Sequence, residues 1–391
     1  MQKTLKIFLF SIFTCFFTFF VLELLIHTFS PQITYSQAVK LSIDCYAEDP
    51  NIPFTLGKSY NCHMTNSQGE FDTYATLNSL GYRNSEFTKE KREGSTRILI
   101  IGDSMTFGWG VSDEETYPYL LEKFLQSTGN SNVEVINGGY VGGLSPDTFY
   151  VYLKNSGIQL KPDIVILNLF VWNDISDIAE NSWEKVDTSG LPERIESCCH
   201  VVDERIFRNK VIDFKYRYPL LRESHFFILL SDTLGKYFPF FRRSEQLSTK
   251  GELMMGCVLH PDCIHLFGPE EQKLYTLITA MKQLVEQHNS KFIVVLMPVD
   301  VQLYPESGQK YSRFGMKWYP QKGNEDFIQK RIKETLLQEG ISVFDLFPEF
   351  DKNRDNGYSF FPIDAHFNAE GTRIVAESVA KFLRENTFLP K

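Results

Sequence analysis

Short, nearly uninterrupted apolar stretches recur along the chain, bounded by polar or glycine-containing segments: Ile98–Ile101, Val133–Asn137, Asp163–Phe170, Phe292–Met297 and Ile341–Phe344. Runs this short, without in/out alternation, predict strands covered on both faces, as in a parallel sheet. Between them the apolar positions fall at helical spacing. Glu115–Leu125 reads as a helix, with Thr116 as its cap and Pro118 in the first turn, where proline is tolerated. Leu274, Leu277, Ile278, Met281 and Val285 share one helical face, and Thr372, Val375, Ala376, Val379, Ala380 and Leu383 stripe a last helix. Strands alternating with helices predict an α/β domain over residues 96–390: a doubly wound, mostly parallel five-stranded sheet with helices on both faces.

Three regions depart from that alternation. At the N-terminus, Lys3 and Lys6 precede an apolar run from Ile7 to Leu22, then Glu23 and Leu24-Leu25-Ile26. Roughly 20 apolar residues span a bilayer, and no small-x-small cleavage site follows, so residues 1–29 read as an uncleaved signal anchor rather than a removed signal peptide. The positive flank would then stay cytoplasmic and the body of the protein would lie outside, periplasmic or extracellular. Residues 30–95 read as an extended pre-domain and linker rich in turn residues. Residues 176–268, directly after the third strand, form an aromatic-rich insertion (Phe226, Phe227, Tyr237, Phe238, Phe240, Phe241) that reads equally as a lid or as a surface elaboration.

Composition narrows the function classes. Hydrophobic residues make up 43% and charged residues 23% of the 391, which is ordinary for a globular body. A net charge of −9 with no Lys/Arg-rich block leaves no footprint for a nucleic-acid partner. Apart from Cys15 in the anchor, Cys45, Cys62, Cys198, Cys199, Cys257 and Cys263 form an even set, which an extracytoplasmic site allows to pair. Cys45 with Cys62 is the natural local pair, and the other four all lie in the insertion. The competing reading is a metal site from Cys198-Cys199-His200 and Cys257-x-x-His260-x-x-Cys263-x-His265, although that spacing matches no standard zinc module.

The candidate chemistry sits where strands end. Ile98–Ile101 runs into Gly102-Asp103-Ser104, which places a serine hydroxyl at the carboxyl end of a strand, the edge where open α/β sheets bind ligands. Near the C-terminus, Asp364-Ala365-His366 precedes the last helix, so a serine early with an aspartate and a histidine late can make a nucleophile–base–orienter set. The second strand opens into Gly138-Gly139-Tyr140-Val141-Gly142-Gly143, and the third ends in Val171-Trp172-Asn173-Asp174. Glycine amides and an asparagine amide are suitable oxyanion donors. Taken singly, each residue has a plainer use: Ser104 and Gly142 in turns, Asn173 as a cap, Asp364 as N-cap of the helix near Ala369.

This ordered set resembles the SGNH (GDSL-type) hydrolase superfamily, in particular its membrane-anchored bacterial members, over roughly residues 95–385. The resemblance implies a flavodoxin-like sheet, Ser104 as nucleophile with its own N–H as first oxyanion donor, and Gly142 and Asn173 as further donors. It implies His366 as base and Asp364 as its orienter, with Asp103 and Asp174 bracing loops. Val171 stands where the third block usually has glycine, and Asp364-x-His366 is one residue shorter than the common spacing. The shorter form resembles the branch containing exopolysaccharide acetyltransferase-like proteins. The reading needs no metal or organic cofactor. It implies an ester substrate, an acylated carbohydrate or lipid, and leaves three classes: a serine esterase, an O-acyltransferase to a polysaccharide, and a non-catalytic envelope-assembly protein.

Overall fold

The computed structural model describes residues 2–32, 34–36, 44–66, 69–141, 144–196, 199–202, 205–208, 214–235, 237–238, 257–263, 268–313 and 320–389. Its centre is a five-stranded sheet: β1 (Thr96–Gly102), β2 (Val133–Gly139), β3 (Ile164–Phe170), β4 (Lys291–Met297) and β5 (Ser342–Asp345). The strands lie in the order β2-β1-β3-β4-β5, and every pairing is parallel. All seven residues of β2 and of β3 are buried. Successive side chains on a strand point to opposite faces, so burial of every position means that both faces are covered. The apolar runs therefore form the parallel, doubly covered sheet that their pattern predicts. Helices Tyr117–Ser127 and Ala369–Glu385 pack on one another, while Pro146–Asn155 and Asp174–Glu180 each pack on Gly268–Gln287.

Element ends shift for identifiable reasons. Gly138 and Gly139 continue β2 instead of opening a turn, because Gly139 pairs with Gly102 of β1. The helix expected over Glu115–Leu125 starts at Tyr117, since the Glu115 carboxylate turns back to accept the Ser112 N–H at 3.0 Å. Thr116 takes the cap position, but its hydroxyl donates to the Asp113 carbonyl at 3.0 Å. Asn368, not Asp364, caps the last helix, accepting from the amides of Glu370 and Gly371. Asp364 is thereby left for another partner.

The chain divides into two compact units. One comprises Ile43–Phe207 with Leu247–Lys391, and the other Met1–Ser42 with Arg208–Gln246. In the first, the segment before the sheet is built into the same body. A hairpin of Tyr60–Thr65 and Asp72–Leu77 is followed by Arg83, Asn84 and the approach to β1. Asn84 bonds the Val135 carbonyl and the Asn137 amide at 2.8 Å each, which covers the free edge of β2. Arg97 is fully buried in β1: its Nε donates to Glu134 at 2.6 Å and its other nitrogens reach the carbonyls of Thr88, Lys89 and Leu160. Cys45 is bonded to Cys62, and Cys257 to Cys263, so neither of the latter pair is a free thiolate for a metal. Cys198 lies outside the described residues, as does the side chain of Cys199. The start of the insertion makes a hairpin, Ser182–Val186 with Pro192–Glu196, and Trp183 Nε1 donates to buried Asp147 at 2.9 Å.

In the second unit, residues Gln2–Phe29 form one 28-residue helix. Its stretch Lys3–Phe29, whose most apolar 18 residues have mean hydropathy 2.3, is long and apolar enough to cross a membrane.

Removing one partner of a buried ion pair costs about 3–5 kcal/mol because the other charge is stranded. Arg97→Met should therefore lower the urea midpoint steeply, with Glu134 and three carbonyls left without their donor. An unchanged midpoint would show that the arginine is not a structural tie.

Candidate active site

The residues that end β1 fold back at once into a single helical turn, Ser104–Phe107. Asp103 caps it, accepting the Met105 amide at 3.0 Å. That turn is pressed against the end of β2. A Cβ at Gly139 would sit 2.3 Å from the Phe107 nitrogen, closer than real atoms approach, so this crossing requires glycine. The far end of the turn is held by Arg83, whose Nη1 donates to the carbonyls of Phe107 (3.0 Å) and Gly108 (2.7 Å), and Nη2 to that of Val111 (2.7 Å). Ser104 is half-buried and sits first in the turn, where its own N–H has no intrahelical acceptor.

His366 meets it from the other end of the chain. Ser104 Oγ lies 2.6 Å from His366 Nε2, and His366 Nδ1 is hydrogen-bonded to Asp364 Oδ1. A carboxylate facing Nδ1 fixes the proton there, which leaves Nε2 as acceptor for the serine hydroxyl. Asp364 also accepts the backbone N–H of His366 at 3.0 Å, a bond that the two-residue spacing makes possible. Burial opposes the imidazolium, but the Asp364 carboxylate, its hydrogen bond and the Asp103 charge outweigh it, and His366 titrates above its ordinary value. Burial likewise would raise Asp364. The His366 cation, the bonds to it and the Trp109 side chain outweigh that and hold Asp364 below the usual carboxylate range.

The loop that carries the pair is tied on three sides. Glu70, from the hairpin before the sheet, accepts the amides of Ile363 (2.6 Å) and Asp364 (2.7 Å) through its two oxygens. Lys310 donates to the Asp364 carbonyl at 3.2 Å and is itself paired with buried Asp300 at 2.6 Å. Phe360 and Phe367 bridge, with the Phe361 amide on the His366 carbonyl at 2.9 Å.

Asn173 stands at the end of β3, the strand next to β1, and its amide donates to Asp177 at 2.8 Å. A primary amide has a second hydrogen to offer. Asp174 braces the strand end by accepting the Phe170 amide at 2.7 Å. Burial raises both buried carboxyls: Asp103 is pushed up to about 6, and Asp174 is held well above its ordinary value, the Asp103 and Asp177 charges adding to its burial. Gly142 lies outside the described residues. Ser104, Asp364 and His366 are thus in one hydrogen-bonded chain, and Asn173 shares their sheet edge. That edge is where strand order reverses between β1 and β3, the switch point at which doubly wound sheets bind ligands. A cavity of about 570 Å³ lined by Tyr82, Tyr140, Tyr152, Lys58 and Asp49 contains neither Ser104 nor His366. Sequence reading missed Arg83, Glu70, Lys310 and Trp109.

Comparison with known proteins follows the same lines. Residues 267–391, which include Asp364 and His366, match the family described as "SGNH hydrolase-like domain, acetyltransferase AlgX". An arylesterase of Vibrio mimicus is 30% identical over 179 residues, covering 43% of this chain and 82% of that protein. Among solved structures, a G-D-S-L-family protein of Desulfitobacterium hafniense DCB-2, described as lipolytic, is 14% identical with TM-score 0.37, over 73% of this chain and 99% of its own. A catalytic mutant of an acetylxylan esterase from Geobacillus stearothermophilus is 12% identical with TM-score 0.38, over 77% and 100%.

The opposed shifts at Asp364 and His366 set a pH window. The raised His366 pKa stabilises the fold below the ordinary histidine value, a contribution lost as pH rises through the folded pKa. The depressed Asp364 pKa does so above the ordinary aspartate value, lost as pH falls through its own. Their pairing is thus fully felt between about 3.9 and 6.5. By NMR, the His366 imidazole is expected to titrate above about 6.5, and Asp364→Asn to bring it down. A native value at or below the ordinary one would contradict the geometry.

Proposed function

The chain belongs to the SGNH hydrolase superfamily, and from that premise we propose that this esterase-type enzyme hydrolyses a carboxylic ester through an acyl-Ser104 intermediate. Ser104 Oγ attacks the ester carbonyl while His366 Nε2 takes its proton, and Asp364 holds the imidazole and favours its cation. The tetrahedral oxyanion is received by the N–H groups of Ser104 and Gly142 and the side-chain amide of Asn173; losing one such donor typically costs about 10²–10³ in rate. His366 then returns the proton to the leaving alcohol, and water, deprotonated by the same imidazole, releases the acid. The observation that carries the reading is the hydrogen-bonded chain from Ser104 through His366 to Asp364. A non-catalytic assembly protein has no use for that chain.

The substrate class we favour is an O-acetyl or other acyl ester on an envelope carbohydrate or lipid. Support comes from the apolar helix Gln2–Phe29 with Lys3 and Lys6 at its start, read as a single-pass anchor with the catalytic unit outside the cytoplasm. The bonded pairs Cys45–Cys62 and Cys257–Cys263 suit an oxidising compartment. A second reading, O-acyl transfer to a polysaccharide hydroxyl, is favoured by the acetyltransferase description of the family matching residues 267–391 and by the Asp364-x-His366 spacing. Both routes share the acyl-serine; they differ in whether water or a sugar hydroxyl attacks it.

A fluorophosphonate probe is expected to label Ser104 and to lose its target in Ser104→Ala. With that established, the purified chain is incubated with an activated acetyl ester and candidate oligosaccharides, and acetate is quantified against acetylated sugar. Acetate should dominate; acetylated sugar as the main product, lost in His366→Ala, would replace hydrolysis by transfer.

Glu70 offers a separate check on positioning. Glu70→Ala frees the Ile363 and Asp364 amides, and a displacement of about 1 Å in such a loop can cost about 10²-fold in kcat. KM should hardly move, and Glu70→Gln, which keeps one acceptor oxygen, should recover part of the rate. Equal loss in both variants would show that the contact does not position the pair.

A further inference from the structure

One acidic residue interrupts the apolar N-terminal helix. Glu23 lies six positions before the helix ends at Phe29, hence about 9 Å inside its end at 1.5 Å per residue. A carboxylate at such a place faces lipid at considerable cost unless it is partnered. Its partners among the described residues are at the start of a second helix, His225–Gly235: the Ser224 hydroxyl at 2.6 Å, the His225 amide at 2.8 Å and the Phe226 amide at 2.9 Å. These are the amides that a helix start leaves without intrahelical acceptors, and negative charge is favoured there. Phe19 meets Phe226 edge-on at 5.4 Å, and the Gln32 amide donates to His225 Nδ1 at 2.8 Å. The second helix is thus fixed to the first at the depth of Glu23, within the apolar span.

The remainder of that helix and its flanks look outward with unlike faces. Leu230 is 40% exposed, Phe238 55%, Tyr237 75% and Leu220 96%. Asp232, also exposed, is drawn to Lys215 at 3.0 Å. Around them stand Tyr35, Tyr216 and Tyr218 with Lys215, Arg217 and Arg222; the Arg222 guanidinium lies 4.2 Å over the Tyr35 ring. Tyrosines interleaved with basic side chains at the end of an apolar helix are the composition of a membrane–water boundary, where rings sit at headgroup level and cations meet phosphate.

We infer that residues 214–235, with Tyr237 and Phe238, form a membrane-interface element, seated in the lipid boundary beside the N-terminal span, with Glu23 as the peg that sets its depth. The inference rests on the reading of Gln2–Phe29 as a membrane anchor. The occupant of the exposed Leu230–Phe238 face is the phospholipid bilayer: the face adjoins a helix whose own apolar surface is unburied, and its basic rim matches anionic headgroups.

The test uses the full chain reconstituted in vesicles of phosphatidylcholine and phosphatidylglycerol. The photoreactive residue p-benzoylphenylalanine is introduced singly at Phe16, Leu230, Phe238 and, as an aqueous control in the other unit, Asn356. Lipid adducts are expected at the first three positions and not at Asn356. Glu23→Ala should diminish the adducts at Leu230 and Phe238 while sparing Phe16. Adducts at Phe16 alone, or protein–protein adducts at Leu230 and Phe238, would overturn the interface element and leave the anchor standing. Absence of adducts at Phe16 as well would overturn both.

Discussion

The contact between Ser104 and His366 joins side chains 262 residues apart, and most of the catalytic unit is arranged so that it can persist. One partner stands on a rigid strand end. The other stands on a loop, and an untied loop would spread the imidazole over many positions at an entropic cost of about 1–2 kcal/mol per ordered residue. The loop is therefore fixed at its base as well as its tip. A Cβ at Gly371 would lie 2.1 Å from the Ser359 carbonyl oxygen, so the last helix begins against the loop's entry strand with no room for a side chain. Phe350 stacks on Phe367 at 5.0 Å and Phe360 meets the same ring tilted at 4.8 Å, which makes the base an aromatic plug rather than a hinge.

The segment before the sheet acquires its meaning from that requirement. Arg83 holds the turn that carries Ser104, and Glu70 holds the loop that carries Asp364 and His366. Two short-range features of one segment thus grip both halves of the hydrogen-bonded chain. Phe71 adds an apolar contact, edge-on to Trp109 at 5.6 Å and 5.0 Å from Phe361. The disulfide Cys45–Cys62 closes this segment on itself, limiting its freedom in the unfolded chain as well as the folded one.

What could be read in the sequence was what depends on local pattern. Apolar runs and helical spacing specify the sheet and its covering, and Ser104, Asp364 and His366 announce themselves by their place at strand and helix ends. The ties could not be read there, because Glu70 and Lys310 are ordinary surface-type residues whose partners lie 294 and 54 positions away. Gly138 and Gly139 look like a turn because glycine commonly is one; only the close passage of Phe107 explains why they stay in the strand. Asp364 looks like a cap by proximity, whereas Asn368 competes better, with two amides in reach of its oxygen. Glu23 reads as a break in an apolar run until its partners, about 200 residues later, are in view.

The two buried acids beside the site do more than brace loops. Asp103 keeps one oxygen on the Met105 amide, while its other oxygen, like one of Asp174, is buried without a hydrogen-bond partner among the described residues. Such atoms are costly to leave unpaired, and both carboxyls respond by titrating upward. For Asp103, pushed up to about 6, the carboxylate charge adds to that of Asp364 in favouring the His366 cation. Asp174 is raised by its burial first, and by the Asp103 and Asp177 charges after it. Two buried acids thus stand beside the hydrogen-bonded chain, and the negative field that Asp103 and Asp364 place on His366 weakens on acidification as carboxylates take up protons.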